Sequence, residues 1–374
     1  MLSTSLKAVL LLSTVASANY ADNAQAALST LQKWYDTETG VWNTTGWWNS
    51  GNCLTVVGDL AAVDPSTNDI ANEVFETTFA RAVAPPPESL RLAKRGFSKR
   101  PFSPRAYIRD EGDSSNFFNE YYDDEGWWAL GWIQAYDVTD NDEYLTTAAD
   151  IFNDMSTGNT TQCGGIWWDK YHTAVNAIAN ELYISVAAHL ANRVDDGQQF
   201  LDIALQQWDW FQETGMINDD HLINDGLDEN CENNGDTVWS YNQGVILGAL
   251  VELNNASPNE DYINTAKDIA TAAIGALSND DGILIEPCEP DCGDDGPQFK
   301  GIFMRNLQKL HAAAPEDAFL TFINANADSI WENDRNEENE LGLLWAGPFM
   351  DPASAGTQSA ALDAIVAAAA FESS

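Results

Sequence analysis

The chain has 374 residues, of which 44% are hydrophobic and 11% are Phe, Trp or Tyr. This is a globular composition and excludes intrinsic disorder as the overall state. It carries 58 Asp and Glu against 17 Lys and Arg, a formal net charge of −41. Such a field repels nucleic acid and anionic membrane surfaces, so a neutral or cationic partner is expected.

The chain opens on "MLSTSLKAVLLLSTVASANYA", with Lys7 ahead of the apolar run "AVLLLSTVA" and a small-x-small site at Ala16-Ser17-Ala18. This reads as a secretory signal peptide over residues 1–18, followed by a single domain over 19–374, and the expected location is secreted. The sequons at Asn43, Asn159 and Asn255 fit that route as glycosylation sites. No later segment is apolar enough to cross a bilayer. The five cysteines, Cys53, Cys163, Cys231, Cys288 and Cys292, allow up to two disulfides with one thiol left over; "CEPDC" can close on itself or send either member to Cys231.

Two kinds of helical segment alternate along the chain. The first kind is one-sided, with apolar residues at three- and four-residue spacing: 24–36, 68–83, 142–155, 197–213, 260–277 and 316–333. The second kind begins in a Gly/Asp/Asn-rich loop with an aromatic cluster and runs into a helix apolar nearly all round: 45–62, 123–136, 164–190, 236–253, 297–313 and 347–370. Helices of the second kind belong inside and those of the first kind outside. Six of each predict an all-α double ring, an (α/α)6 barrel, with the six outer-to-inner loops at one end. An α-solenoid has similar helix pairs but would scatter the aromatic clusters. One stretch departs from the rhythm: residues 81–105 hold Arg81, Arg91, Lys94, Arg95, Lys99, Arg100 and Arg105 against the single acid Glu88, among prolines. It reads as a basic surface insertion.

The second inner segment carries "YYDDEGWWALGWIQAY", with Asp123 and Asp124 side by side. Cleaving a glycosidic bond takes two carboxyl groups in different protonation states, and ionising one of two neighbours raises the pKa of the other. Neighbours at a helix start can meet the roughly 5–5.5 Å separation of a retaining enzyme but hardly the roughly 6.5–9.5 Å of an inverting one. The bland alternative is a pair of acids that favours a helix N-terminus. A diphosphate-binding Asp-Asp-x-x-Asp is ruled against by Trp127 and Trp128, and the loop "NCENNGD" has Tyr241 where a calcium ligand should stand. No metal or cofactor is expected.

The block "YYDDEGWWALGWIQAYDVT" (121–139) resembles the signature of glycoside hydrolase family 76, the endo-α-1,6-mannanases. The blocks "GGIWWDKYHTAVNAIANELYISVAAHL", "WSYNQGVILGALVEL" and "PQFKGIFMRNL" look like the family's others in the same order, from about Trp34 to the C-terminal helix, with 81–105 as the departure. The resemblance implies an (α/α)6 barrel and retaining endo-hydrolysis of α-1,6-mannan, with Asp123 as nucleophile and Asp124 as acid/base. Fungal relatives that act in cell-wall assembly by transglycosylation make a mannan transglycosidase the alternative; a non-catalytic mannan-binding protein should lack one aspartate of the pair. In the cleft-side blocks, Trp127, Trp128 and Trp168 are expected as sugar platforms. Asn176, Asp225, Tyr241, Asn242, Gln243 and Lys300 are expected to hold mannose hydroxyls. A monomer is expected.

Overall fold

The computed structural model describes residues 19–84 and 117–372. Among them are twelve α-helices. Six are outer: α1 (Tyr20–Leu31), α3 (Asn68–Arg81), α5 (Asp142–Met155), α7 (Gln198–Glu213), α9 (Glu260–Ala276) and α11 (Asp317–Asn333). Six are inner: α2 (Trp47–Val63), α4 (Tyr122–Thr139), α6 (Ala177–Ala191), α8 (Ser240–Ala256), α10 (Phe299–Ala313) and α12 (Ala355–Ala369). The expected signal peptide lies outside the described residues, as does the basic stretch beyond residue 84; Arg81 is the last residue of α3.

The inner helices form a closed ring. Helix α2 packs on α4, α4 on α6, α6 on α8, α8 on α10, α10 on α12, and α12 back on α2. That closure separates the fold from a solenoid. The burial follows the sequence pattern: every residue of α12 and all of α6 but Ala191 are buried, whereas α3 buries only Ala71, Val74, Phe75 and Thr78. Small residues let the inner helices approach closely. A Cβ on Gly244 would stand 2.6 Å from the Phe303 backbone, and one on Gly301 would stand 2.4 Å from the Cα of Ala360. Any larger residue at either point would push α10 off a neighbour.

Outer and inner helices differ in how they are joined. The inner-to-outer links are short, such as the two residues between α4 and α5. The outer-to-inner links are long and gather at the N-terminal ends of the inner helices. Backbone bridges stitch them together: Tyr121 pairs with Asp169, and Asn176 with Gly226. Two disulfides add to this, Cys163–Cys231 between two loops and Cys288–Cys292 within one; Cys53 is the free, buried cysteine. Of the pairings left open by the sequence, "CEPDC" closes on itself and Cys231 takes Cys163.

The sequence misplaces two boundaries. Helix α1 starts at Tyr20 rather than 24 because the Asn19 side chain accepts from the Asp22 amide and caps it, and it ends at Leu31 where the chain turns into a two-stranded ribbon, β1 (Tyr35–Asp36) and β2 (Val41–Trp42). In the segment 164–190 the loop and its aromatic cluster run as far as Asn176, which caps α6.

Candidate active site

Asp123 and Asp124 occupy the first turn of α4, at the loop-bearing end of the ring. Their positions are fixed from two directions. The amide of Tyr122 donates to the carbonyl of Trp168 (2.9 Å), and the amide of Lys170 to the carbonyl of Glu120 (2.9 Å), so the α5–α6 loop lies along the entry to α4. This brings the Trp168 indole Nε1 to Asp123 Oδ2, to which it donates at 2.9 Å. On the other side, Asn119 Nδ2 donates to Asp124 Oδ2 at 2.6 Å.

A third acid, Glu125, is fully buried behind the pair. Its Oε1 accepts from the Asn119 amide (2.9 Å) and from Lys170 Nζ (2.8 Å), and Lys170 also bonds Asp154. Glu125 therefore ties together the two loops that supply Asn119 and Trp168. Burial raises its pKa well above the ordinary carboxylate value in spite of the Lys170 ammonium.

The two aspartates are not equivalent. Packing against the cleft floor removes most of their hydration and pushes both pKa values up. Asp123 has the better support for a negative charge, receiving the Trp168 indole N–H and the Asp124 backbone amide at 3.1 Å. Asp124 faces the charge of Asp123, with Asp295 and Glu120 adding to it. Asp123 thus loses its proton first, and its charge keeps Asp124 protonated. An ionised and a protonated carboxyl side by side can serve as a nucleophile and a proton donor.

The other expected residues divide into those at the cleft and those beneath it. Trp168 is half-buried at the pair; Asp225, Tyr241 and Asn176 are also partly exposed. Tyr241 stacks on Phe299 (3.9 Å between centroids), and its hydroxyl lies in the fields of Asp225, Asp123 and Glu181. Asn242 Nδ2 reaches Asp225 Oδ1 at 3.4 Å, and Asn176 caps α6.

Five assignments are corrected. Trp128 is fully buried among Phe117, Trp47 and Trp132, and Trp127 is 2% exposed, so neither offers a sugar a face. Lys300 is fully buried; its ammonium bonds Glu289 and the Leu343 carbonyl (2.7 Å) and sits 4.6 Å from the Trp345 ring centre. Gln243 is fully buried and spends its amide on the backbone of Ile223 and Trp239. Asn242 is fully buried, with its Nδ2 turned to Asp225 Oδ1. The sequon residues Asn43, Asn159 and Asn255 are all exposed.

The sequence reading passed over Asn119, Glu125, Lys170 and Asp295. Asn119 and Lys170 each stand within a few residues of an aromatic or acidic cluster, which was the available signal. Asp295, in the acidic run just ahead of the 297–313 segment, had the same signal, but its nearness to the pair depends on how a distant loop folds back. Among the described residues, no group of three or more His, Cys, Asp or Glu is placed to hold a metal ion, and no helix is long and apolar enough to cross a membrane.

The family model for glycosyl hydrolase family 76 matches residues 16–374. The mannan endo-1,6-alpha-mannosidase DFG5 of Saccharomyces cerevisiae is 27% identical over 249 residues, covering 60% of this chain and 54% of its own. The chain spans about half the length of the curated relatives it matches. Among solved structures, Dfg5 from Chaetomium thermophilum in complex with glucosamine superposes with a TM-score of 0.78 at 19% identity, covering 95% of this chain and 91% of that one. A Salegentibacter alpha-1,6-mannanase, made inactive by replacing two adjacent aspartates with alanine and bound to alpha-1,6-mannotetrose, superposes with a TM-score of 0.76 at 19% identity, covering 95% and 100%.

Proposed function

Since the chain belongs to glycoside hydrolase family 76, we propose that it is a retaining endo-α-1,6-mannosidase that works with Asp123 and Asp124. The observation that carries this reading is the asymmetry of the pair: the Trp168 indole supports a charge on Asp123 alone, while Asp124 sits against that charge. Asp123 attacks the anomeric carbon as Asp124 gives its proton to the departing glycosidic oxygen. Asp124, now ionised, takes a proton from water, and the hydroxide displaces Asp123 with a second inversion. In this reading the partly exposed Trp168, Asp225 and Tyr241 contact the sugar.

The names of the curated relatives and the substrate of the Salegentibacter neighbour support mannan as the glycan. In a cell wall, an acceptor sugar in place of water would make the second step a transfer, which is the alternative reading. The expected signal peptide and the exposed sequons support a secreted glycoprotein.

The test combines product analysis with two variants. Linear α-1,6-mannan should give internal cleavage products whose new reducing ends appear first as the α anomer. Both Asp123→Asn and Asp124→Asn should nearly abolish this with the fold intact. Asp124→Asn should still accept an activated mannoside and, with azide, release α-mannosyl azide. A β-mannosyl azide, or full activity in Asp123→Asn, overturns the roles; two active variants reduce the pair to a helix cap.

A further inference from the structure

A cavity of about 840 Å³ lies beside the paired aspartates. Three outer-to-inner loops wall it: 43–49 ahead of α2, 290–297 ahead of α10, and residues between 343 and 357 ahead of α12. It is separate from the polar groups at Asp225 and Tyr241. Its border with the catalytic centre is formed by Trp48 and Asp295. The Trp48 indole Nε1 donates to Asp295 Oδ1 at 2.9 Å, and its ring stacks at 5.8 Å on Trp127, one helical turn after Asp123. Asp295 is near enough for its charge to act on both catalytic carboxyls.

The walls are fixed before any ligand arrives. The 290–297 loop is closed by Cys288–Cys292, with Gly296 packed so tightly that a Cβ there would stand 2.7 Å from Cys292 Cβ. The 43–49 loop is tied to the start of α12 by the Ala355 amide, which donates to Thr44 Oγ1 at 2.8 Å. Trp48, held flat between Asp295 and Trp127, is a half-buried aromatic face with its one polar atom already satisfied. Such a face suits the CH side of a pyranose. Around it stand the hydroxyls of Thr45, Ser354 and Thr357 and the acids Asp291, Asp294 and Asp295; among the described residues no Lys, Arg or His lines the cavity.

We propose that this cavity is a second saccharide subsite, in which Trp48, clamped by Asp295, carries uncharged sugar units of the glycan beyond those at the scissile bond, and that its three acids exclude glycans bearing phosphate or carboxylate. The volume lies within the ~300–1,000 Å³ of small-molecule sites, room for more than one ring. Preformed walls keep the ordering cost of binding low. The acids, with no cation beside them among the described residues, make an anionic sugar unfavourable by direct repulsion. Binding energy gained here, away from the reacting atoms, helps hold the glycan in register for cleavage. The proposal rests on the reading of the protein as a glycan-cleaving enzyme.

The test is the chain-length dependence of kcat/KM on α-1,6-mannooligosaccharides, from the shortest that is cleaved to one several units longer, for the unmodified protein, Trp48→Ala, Trp48→Phe and Asp295→Asn, each at its own pH optimum. The loss in Trp48→Ala should grow with substrate length by about ten- to thirty-fold, the size of one lost aromatic platform, while Trp48→Phe keeps most of it and Asp295→Asn falls between. Equal losses at every length, or none, overturn the subsite. A second arm compares long oligosaccharides with and without a terminal phosphate. The unmodified protein should disfavour the phosphorylated one, and Asp291→Asn with Asp294→Asn should narrow the gap; equal use of both by the unmodified protein overturns the charge selection. If the unmodified protein cleaves no mannooligosaccharide, the functional reading has failed. Calorimetric binding of the same sugars then judges the cavity on its own: weaker binding to Trp48→Ala supports it, and unchanged or absent binding overturns it.

Discussion

Replacing Trp168 with Phe removes one hydrogen-bond donor from the proposed catalytic pair, Asp123 and Asp124, and keeps an aromatic ring. The donor is the indole N–H that meets Asp123 Oδ2 at 2.9 Å. A hydrogen bond to a charged group contributes about 1.5–3 kcal/mol, and it favours the ionised form of Asp123 only. One pKa unit corresponds to about 1.4 kcal/mol, so losing the donor should raise the first ionisation of the pair by about 1–2 units. Asp123 is already held up by burial, so this shift falls within the working range of the enzyme. The nucleophile must be ionised, and the acid limb of kcat/KM should therefore move to higher pH by that amount. Well below the limb the activity should drop about ten- to a hundred-fold; above it the activity should return until Asp124 loses its proton. The two limbs belong to the pair rather than to either residue, so the whole profile narrows from its acid side. The assay is kcat/KM on an activated mannoside and on a mannooligosaccharide from pH 4 to 9, for the unmodified protein and Trp168→Phe. An acid limb that does not move refutes the electrostatic role. A loss of the same size at every pH means that the indole acts only as a sugar platform.

Trp128→Ala should cost about 3–5 kcal/mol of stability in denaturant titrations, since it empties the centre of the Phe117–Trp47–Trp132 cluster. A weakened substrate affinity at unchanged stability would return Trp128 to the cleft. The melting temperature should fall as pH rises from 6.5 to 8.5. Burial pushes Glu286 and Asp363 up to about 7 and Asp334 up to about 8. In the unfolded chain these acids titrate near 4, so across this window the folded state binds more protons and stability is lost as they are stripped. Asp334→Asn should flatten the fall, and a melting temperature that is constant or rises with pH would contradict the assignment.

The ring was legible because burial leaves a direct mark on composition. Helix α12 is buried on every side and reads "AGTQSAALDAIVAAA", whereas α5, with one face wet, repeats its apolar residues at helical spacing. The same all-round burial hid the orientation of individual inner residues. An amphipathic helix shows which way each side chain points; α4 has no such phase, so Trp127 and Trp128 looked as accessible as Trp168. Lys300 was misread because a buried ammonium needs a partner, and Glu289 is supplied by the loop rather than by the helix. Asp123 and Asp124 stand out in the sequence since both groups are adjacent in the chain. What distinguishes them, Trp168 on one and Asn119 on the other, depends on how the loops cross.

The two ends of the described chain meet across the closure of the ring. Helix α1 packs on α12; the Ala21 amide donates to Glu372 Oε2 at 3.2 Å, and Gln358 Nε2 to the Ala27 carbonyl at 3.1 Å. Outer helices finish at the cleft face and inner helices begin there, so α1 starts and α12 stops on the opposite face. A tether, tag or fused module joined at either end therefore departs from the back of the molecule. A protein held to a solid support by its tail would present its opening outward, toward a polymer arriving from the surroundings. Joining the two ends by a short peptide and cutting the chain at another back-face turn would rearrange the order of the helices without touching any loop that shapes the cleft.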